Sequence, residues 1–383
     1  MIELAKNTID NKDIDRLIEW LKTYPRLTKG KVTVEYEEKW SEILGTKHSV
    51  FVNSGSSANL LMLYTLIEMG KIKVGDEVVV PALSWSTDLA PVHQLGLKPL
   101  LCDCNLEDLS IDLEHFELLI KNNTPKVLLL VSVLGLVPNM EAIIKICNDN
   151  GIILLEDACE SLGSRYHNKT LGTFGLMSSF STYFGHHLST IEGGMVCTDD
   201  TTAYNFLKSL RSHGWSRDMD ASYQSSLREE FGTNEFNEQY TFYYSGFNLR
   251  STDLQAFIGL SQLDKYKTVM DRRHANYNVY KENLKDTFWK PSTPPQTYVS
   301  NFAYPLIHPE RQKIIKALNS NNIENRPLIC GSLGLQPVWT KRYGRAALPN
   351  ANRVHEHGLY LPNNQNTTEK EILFVCDVVN NSV

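Results

Sequence analysis

Four short segments carry side chains whose types and spacing suit binding and chemistry. Asn53-Ser54-Gly55-Ser56-Ser57-Ala58 follows a strand-like run and opens a helix-like one. Small residues there let an anion approach the free N–H groups of the first helical turn, and the hydroxyls of Ser56 and Ser57 add donors. Read alone, the same pattern is also ordinary strand-to-helix punctuation. Trp85, in Pro81-Ala82-Leu83-Ser84-Trp85-Ser86-Thr87, lies just past a strand end, where its ring can stack on a flat heterocycle. A core tryptophan is the competing reading. Asp157, in Glu156-Asp157-Ala158-Cys159-Glu160, closes the apolar run Ile152-Leu155. A carboxylate at a buried strand end needs a cationic or hydrogen-bonding partner, and a protonated ring nitrogen is one. Capping of a following helix is the alternative. Finally, His186-His187 sits in a Gly-aromatic turn, and an imidazole is a base near neutral pH. Neighbouring side chains diverge and no His-Glu-x-x-His pattern is present, which argues against a metal.

The order of these segments, followed by Glu192-Gly193-Gly194 and Gly246-Phe247-Asn248-Leu249-Arg250-Ser251-Thr252-Asp253, resembles the DegT/DnrJ/EryC1/StrS sugar aminotransferase family, from Glu35 to Pro337. The resemblance implies an α/β, aspartate-aminotransferase-like fold (PLP-dependent transferase type I) with a mostly parallel central sheet and a smaller C-terminal α+β domain. It implies pyridoxal 5′-phosphate or its amine form, pyridoxamine 5′-phosphate, as cofactor. Gly55, Ser56, Ser57 and Ser181 would hold the phosphate, Trp85 would stack on the ring, and Asp157 would pair with the ring nitrogen. Asn248 would reach the phosphate from the second subunit of a homodimer with shared sites. Glu160 would hold His186 or a sugar hydroxyl.

One position departs from most of the family. A lysine usually stands six residues before the Glu-Gly-Gly glutamate and holds the cofactor covalently; here that residue is His186, and no lysine occurs from Leu171 to Leu207. Imidazole moves protons but cannot form that bond, so the chemistry shifts from amino transfer toward elimination by a base. Phe184-Gly185-His186-His187-Leu188 and Asn325-Arg326-Pro327 resemble the family's 3-dehydratase subgroup, which acts on GDP-linked 4-keto-6-deoxy sugars and uses L-glutamate. That resemblance makes His186 the base and His213 a second catalytic histidine donated by the partner subunit. Arg250 and Arg326 are candidates for anion recognition on the substrate, as bidentate clamps. Cys330-Gly331-Ser332 and Ser181-Thr182-Tyr183 depart from the subgroup and leave hexose and heptose sugars both open. Other readings are a CDP-4-keto-6-deoxy-hexose 3-dehydrase type, a nucleotide-sugar aminotransferase, and a non-catalytic cofactor-binding regulator. The first pairs with an iron–sulfur reductase, and the chain has no four-cysteine cluster.

The elements that must position these residues follow from hydrophobic periodicity. Asp13–Leu21 and Tyr36–Ile43 have helical spacing. Strand-like runs at 49–52, 78–81, 98–102, 127–133, 152–155 and 194–198 then alternate with helix-like ones at 58–68 and 86–95. This alternation predicts a mostly parallel sheet covered on both faces. A long helix is expected over Asp253–Leu284, a strand over Tyr298–Ile307 and a helix over Arg311–Asn319. The division is a large cofactor domain with its N-terminal arm over 1–255, and the long helix with a small domain over 256–383. The chain has 383 residues, 42% hydrophobic, with a net charge of −6, enough for a large core and without the basic blocks that nucleic acid or anionic membranes demand. The charged N-terminus has no apolar core for a signal peptide, and seven scattered cysteines fit a reducing cytoplasm. Cys102 and Cys104 are the one close pair, and strand packing accounts for them.

Overall fold

The computed structural model describes residues 1–383. Its main sheet contains β1 (His48–Val52), β2 (Glu77–Pro81), β3 (Lys98–Cys102), β4 (Val127–Val131), β5 (Ile153–Asp157), β6 (Met177–Ser181) and β7 (Gly194–Thr198). The spatial order is β1-β7-β6-β5-β4-β2-β3. The pairs from β3 through β6 are parallel, and β7 runs antiparallel to both β6 and β1. Strands buried on both faces need continuous apolar runs, and Val127–Val131 is buried at every residue. The register sets Val131 opposite Asp157 and Asp157 opposite Ser179, so β4 and β5 finish at one level and β6 runs two residues further, to Ser181. Polar residues at those ends share a floor.

Local signals place the helices that serve the site. Ser54 caps the helix Gly55–Glu68 by accepting the Ser57 N–H, and Thr368 closes a capping box on Glu369–Asn380. A second sheet holds β8 (Tyr304–Ile307), β9 (Arg326–Pro327) and β10 (Gly358–Leu361), with β10 in the centre and antiparallel to both neighbours. Helices Arg311–Ser320 and Tyr266–Asn283 both pack on Glu369–Asn380.

Three expectations change. The long helix over Asp253–Leu284 is two helices, Asp253–Leu263 and Tyr266–Asn283. At the break, Lys265 N–H bonds back to Gln262 with a tighter turn, while its ammonium reaches the Thr8 carbonyl, Asp10 and Asp13 of the N-terminal arm. The strand over Tyr298–Ile307 is also divided. Thr297–Tyr298 pairs with Arg165–Tyr166, whereas Tyr304–Ile307 pairs with β10. Between them Asn301 is buried and donates to the Leu134 carbonyl, a bond no strand ladder supplies. Finally, Met177–Ser181, which is not among the expected strand-like runs, forms the strand β6. No helix is long and apolar enough to cross a membrane.

Candidate active site

The carboxyl ends of β2, β4, β5 and β6 open into a cavity of about 400 Å³. At one end lies the N-terminus of Gly55–Glu68. Its Ser57 N–H is taken by Ser54 Oγ and its Ala58 N–H by the Ser54 carbonyl, leaving those of Gly55 and Ser56 for a ligand. A Cβ on Gly55 would stand 2.8 Å from Ser181 Cβ and 3.0 Å from Cys159 Sγ, so glycine is what lets the helix end meet the end of β6. The Ser181 hydroxyl lines the same corner. Free N–H groups, a positive helix end and a hydroxyl form a phosphate cradle. Ser57 is not among the lining residues, and its Oγ accepts from the Ser54 hydroxyl at 3.0 Å.

Trp85 is 55% exposed, which removes the core reading, and its side chain lines the cavity. Asp157, the last residue of β5, is only 6% exposed. Its Oδ2 accepts from Asn59 Nδ2 at 2.6 Å and its Oδ1 from the Cys159 N–H at 2.9 Å. The Ser179 hydroxyl donates to Asn59 Oδ1 at 2.5 Å and so fixes which way the amide faces. A buried carboxylate, an exposed indole and an anion cradle lining one cavity fit the ring nitrogen, ring face and phosphate of a pyridoxal-type cofactor.

His186 Nδ1 lies 2.8 Å from the Cys159 carbonyl. A carbonyl only accepts, so Nδ1 carries the proton and Nε2 is left as the basic atom. Burial pushes the imidazole down to about 4, partly opposed by the Cys159 carbonyl and Asp157 and reinforced by the Arg273 charge. Before ligands enter, His186 is therefore neutral at physiological pH, the form in which an imidazole can accept a proton. His187 faces the other way, fully buried, with Nε2 at 3.1 Å from the Ser300 carbonyl. It anchors the loop. Glu160 lines the cavity, and its Oε2 accepts the Leu134 N–H at 2.8 Å. Burial raises its carboxyl to about 8, so it is largely protonated near neutrality. Its carboxyl is bonded to the Leu134 N–H, while His186 Nδ1 is held by the Cys159 carbonyl.

Arg326 stands in the wall beside Tyr360, with an ion pair to Glu324 at 3.1 Å. His213, Asn248 and Arg250 lie outside this cavity and form a cluster of their own. Arg250 Nη2 is 3.3 Å from His213 Nε2, and Arg250 Nε donates to Asn248 Oδ1 at 3.1 Å. No lysine is among the cavity-lining residues. Sequence reasoning missed Asn59, Asp88, Phe302 and Tyr360. Asn59 had a signal, as a lone amide inside the apolar run Ala58–Leu63. Asp88 reads locally as a helix first-turn acid. Phe302 and Tyr360 come from loops and strands far along the chain, with no local cue.

The DegT/DnrJ/EryC1/StrS aminotransferase family model matches residues 7–380. A GDP-4-keto-6-deoxy-D-mannose 3-dehydratase of Yersinia pseudotuberculosis is 34% identical over 96% of this chain and 95% of its own length. The solved Escherichia coli GDP-4-keto-6-deoxy-D-mannose-3-dehydratase with bound hydrated PLP superposes with a TM-score of 0.89 at 31% identity, over 99% of this chain and 100% of that one. A GDP-4-keto-6-deoxymannose-3-dehydratase structure with a trapped PLP-glutamate geminal diamine matches with the same TM-score of 0.89 at 30% identity, over 99% of this chain and 100% of that one. By sequence and by fold, this chain belongs to the DegT/DnrJ/EryC1/StrS aminotransferase family.

Proposed function

We propose that this protein is a pyridoxamine-dependent C3 dehydratase of a GDP-linked 4-keto-6-deoxy sugar, with L-glutamate as co-substrate. The observation that carries this reading is His186: a lysine-free cavity wall in which the residue at the lysine position is a neutral imidazole with its basic Nε2 unengaged. Glutamate brings nitrogen and two electrons. It leaves as 2-oxoglutarate, C3 exchanges its hydroxyl for hydrogen, and the nitrogen departs as ammonia, so the equation balances without another reductant.

Pyridoxamine 5′-phosphate, when bound, supplies a primary amine for the keto carbon and a ring that withdraws electrons. The chain's own residues do the rest. Gly55 and Ser56 N–H groups and the Ser181 hydroxyl receive the phosphate, Trp85 covers the ring, and Asp157 keeps the ring nitrogen protonated. His186 Nε2 takes up the proton released on the way to C3–O cleavage. With no lysine to tether it, the cofactor is retained by these reversible contacts alone. Arg326 is placed for the diphosphate or a substrate carboxylate.

The active unit is a homodimer with shared sites. The His213–Asn248–Arg250 cluster lies outside its own cavity, and Phe236, Tyr240, Ile14 and Ile18 leave large apolar surface exposed. All seven cysteines are free, which suits a reducing cytoplasm. The test is turnover with glutamate and a panel of GDP- and CDP-linked 4-keto-6-deoxy sugars, measuring 2-oxoglutarate, ammonia and the nitrogen content of the sugar. Ammonia and a nitrogen-free 3-deoxy sugar are expected; an amino sugar without ammonia would return the chain to the aminotransferases.

A further inference from the structure

Behind Asp157 stands a second carboxyl group that the reaction above leaves unused. Asp88, in the first turn of the helix Ser86–Gln94, has no exposed surface. Its Oδ2 accepts the Trp85 N–H at 3.0 Å and its Oδ1 accepts from Asn59 Nδ2 at 3.1 Å. Asn59 Nδ2 also donates to Asp157 Oδ2, so one amide bridges both acids. With that nitrogen 3.1 Å from Asp88 Oδ1 and 2.6 Å from Asp157 Oδ2, the two carboxyl groups are held side by side. The other titratable and charged groups around the pair are Glu160, the Cys159 and Cys330 thiols, His186 and Arg326, which is already paired with Glu324. Two nearly unexposed carboxylates that share one amide donor, without a cation between them, do not both ionise readily.

We propose that Asp88 is a neutral carboxylic acid that donates its proton to Asp157 and is a positioning residue for the cofactor ring. It rests on the pyridoxal-type site proposed above. The division of roles follows from the surroundings. Asp157 has the Cys159 N–H and the shorter Asn59 contact, which favour its charged form; Asp88 is the more deeply buried of the two. The neutral acid thus holds the Asp157 charge in place without adding a second one, and through the Trp85 N–H it also fixes the backbone that carries the stacking indole. One side chain sets both the ring's nitrogen partner and its covering face. Burial and the Asp157 charge push the Asp88 carboxyl well above the usual range, in the direction this role requires.

The experiment has two arms. In the cofactor-free protein, infrared difference spectra of Asp88→Asn against the native chain should show loss of a protonated carboxylic acid carbonyl band at pH 7, whether or not the protein turns over any sugar. The second arm measures pyridoxamine 5′-phosphate affinity and cofactor-band circular dichroism in variants whose far-ultraviolet spectra match the native chain. Asp88→Asn keeps a neutral donor toward Asp157 but loses one accepted N–H, from Asn59 or Trp85, so it should retain most of the affinity and dichroism, while Asp88→Ala should bind at least ~10-fold more weakly and lose much of the dichroism. Absence of the carboxylic acid band overturns the proposal. So does an Asp88→Asn protein as weak as Asp88→Ala, or an Asp88→Ala protein that binds like the native one. If the native chain itself failed to bind the cofactor, the band would still be present, and the failure would lie with the proposed function instead.

Discussion

His186 is defined by what its two nitrogens can do. The Cys159 carbonyl fixes the proton on Nδ1, and the cavity receives a lone pair on Nε2. An asparagine there has an amide nitrogen that cannot accept a proton, so His186→Asn should abolish ammonia release while leaving pyridoxamine 5′-phosphate bound. His186→Lys should gain what the native chain lacks: borohydride treatment with pyridoxal 5′-phosphate should then label residue 186, and dehydration should collapse. Release of ammonia at a normal rate by His186→Asn would move the base elsewhere. The same residue predicts a pH signature in stability. A histidine that titrates near 6.5 when unfolded and at about 4 when folded binds more protons in the unfolded chain between those values. Its contribution is fully present above pH 6.5 and erodes as pH falls toward 4. Glu160 has the opposite sign, because its folded carboxyl is raised from 4.5 to about 8 and stability falls as pH climbs through that window. The two windows overlap between pH 4.5 and 6.5, where the slopes oppose, so melting temperatures should fall more steeply with rising pH there in His186→Asn, and Glu160→Gln should lose the fall between 6.5 and 8. For Asp157→Ala, loss of the preorganised charge should cost at least ~100-fold in turnover; a near-native rate would reduce Asp157 to a structural acceptor for Asn59 and Cys159.

At the scale of elements, the site depends on a helix end meeting strand ends. Gly55→Ala would drive a Cβ into Ser181 and Cys159, separating the Gly55–Glu68 helix from β6. It should weaken cofactor binding more than removal of any one hydroxyl. Ser181→Ala should lower affinity for pyridoxamine 5′-phosphate, whereas Ser57→Ala should leave it nearly unchanged, since that hydroxyl is occupied in the cap with Ser54. Equal losses in a fluorescence titration would restore Ser57 to the cradle. Such distinctions mark how far sequence carries. The apolar runs that became β2, β3, β4 and β5, and the small-residue turn before Gly55–Glu68, were legible because buried parallel strands need unbroken apolar stretches and helix starts need caps. The family resemblance supplied the order of Trp85, Asp157 and His186 and the missing lysine. What stayed hidden was relational. β6 is rich in serine and passes for loop, because its partners β5 and β7 rather than its own composition make it a strand. The break at Lys265 depends on carboxylates 250 residues away in the N-terminal arm, and the depressed basicity of His186 depends on burial that no local pattern reveals.

At the scale of the whole molecule, the residues of the proposed site fall in two places, His186, Asp157 and Trp85 in one cavity and His213, Asn248 and Arg250 outside it. His213, Asn248 and Arg250 bind one another outside the cavity that contains His186, and the backbone bridge from Ser212 to Asn248 keeps them together. Exposed apolar residues are spread over the helix Asn11–Leu21, where Ile14, Ile18 and Leu21 fall on one face, and over the segment containing Phe236 and Tyr240. A two-fold dimer that buried such surfaces could carry each cluster to the partner's cavity, because an isologous contact makes both exchanges at once. Complementation tests this directly. His186→Asn damages a site through its own chain, and Asn248→Ala would damage the site of the partner. Each homodimer should be inactive, but a heterodimer places both defects in one site and leaves the other whole. After co-refolding at equal amounts, half of the dimers are mixed and each has one intact site, so activity should return to roughly a quarter of native. The mixture must be shown to be dimeric by sedimentation, with both variants folded. If it remains inactive under those conditions, His186 and Asn248 serve the same chain's site, and the shared-site reading falls.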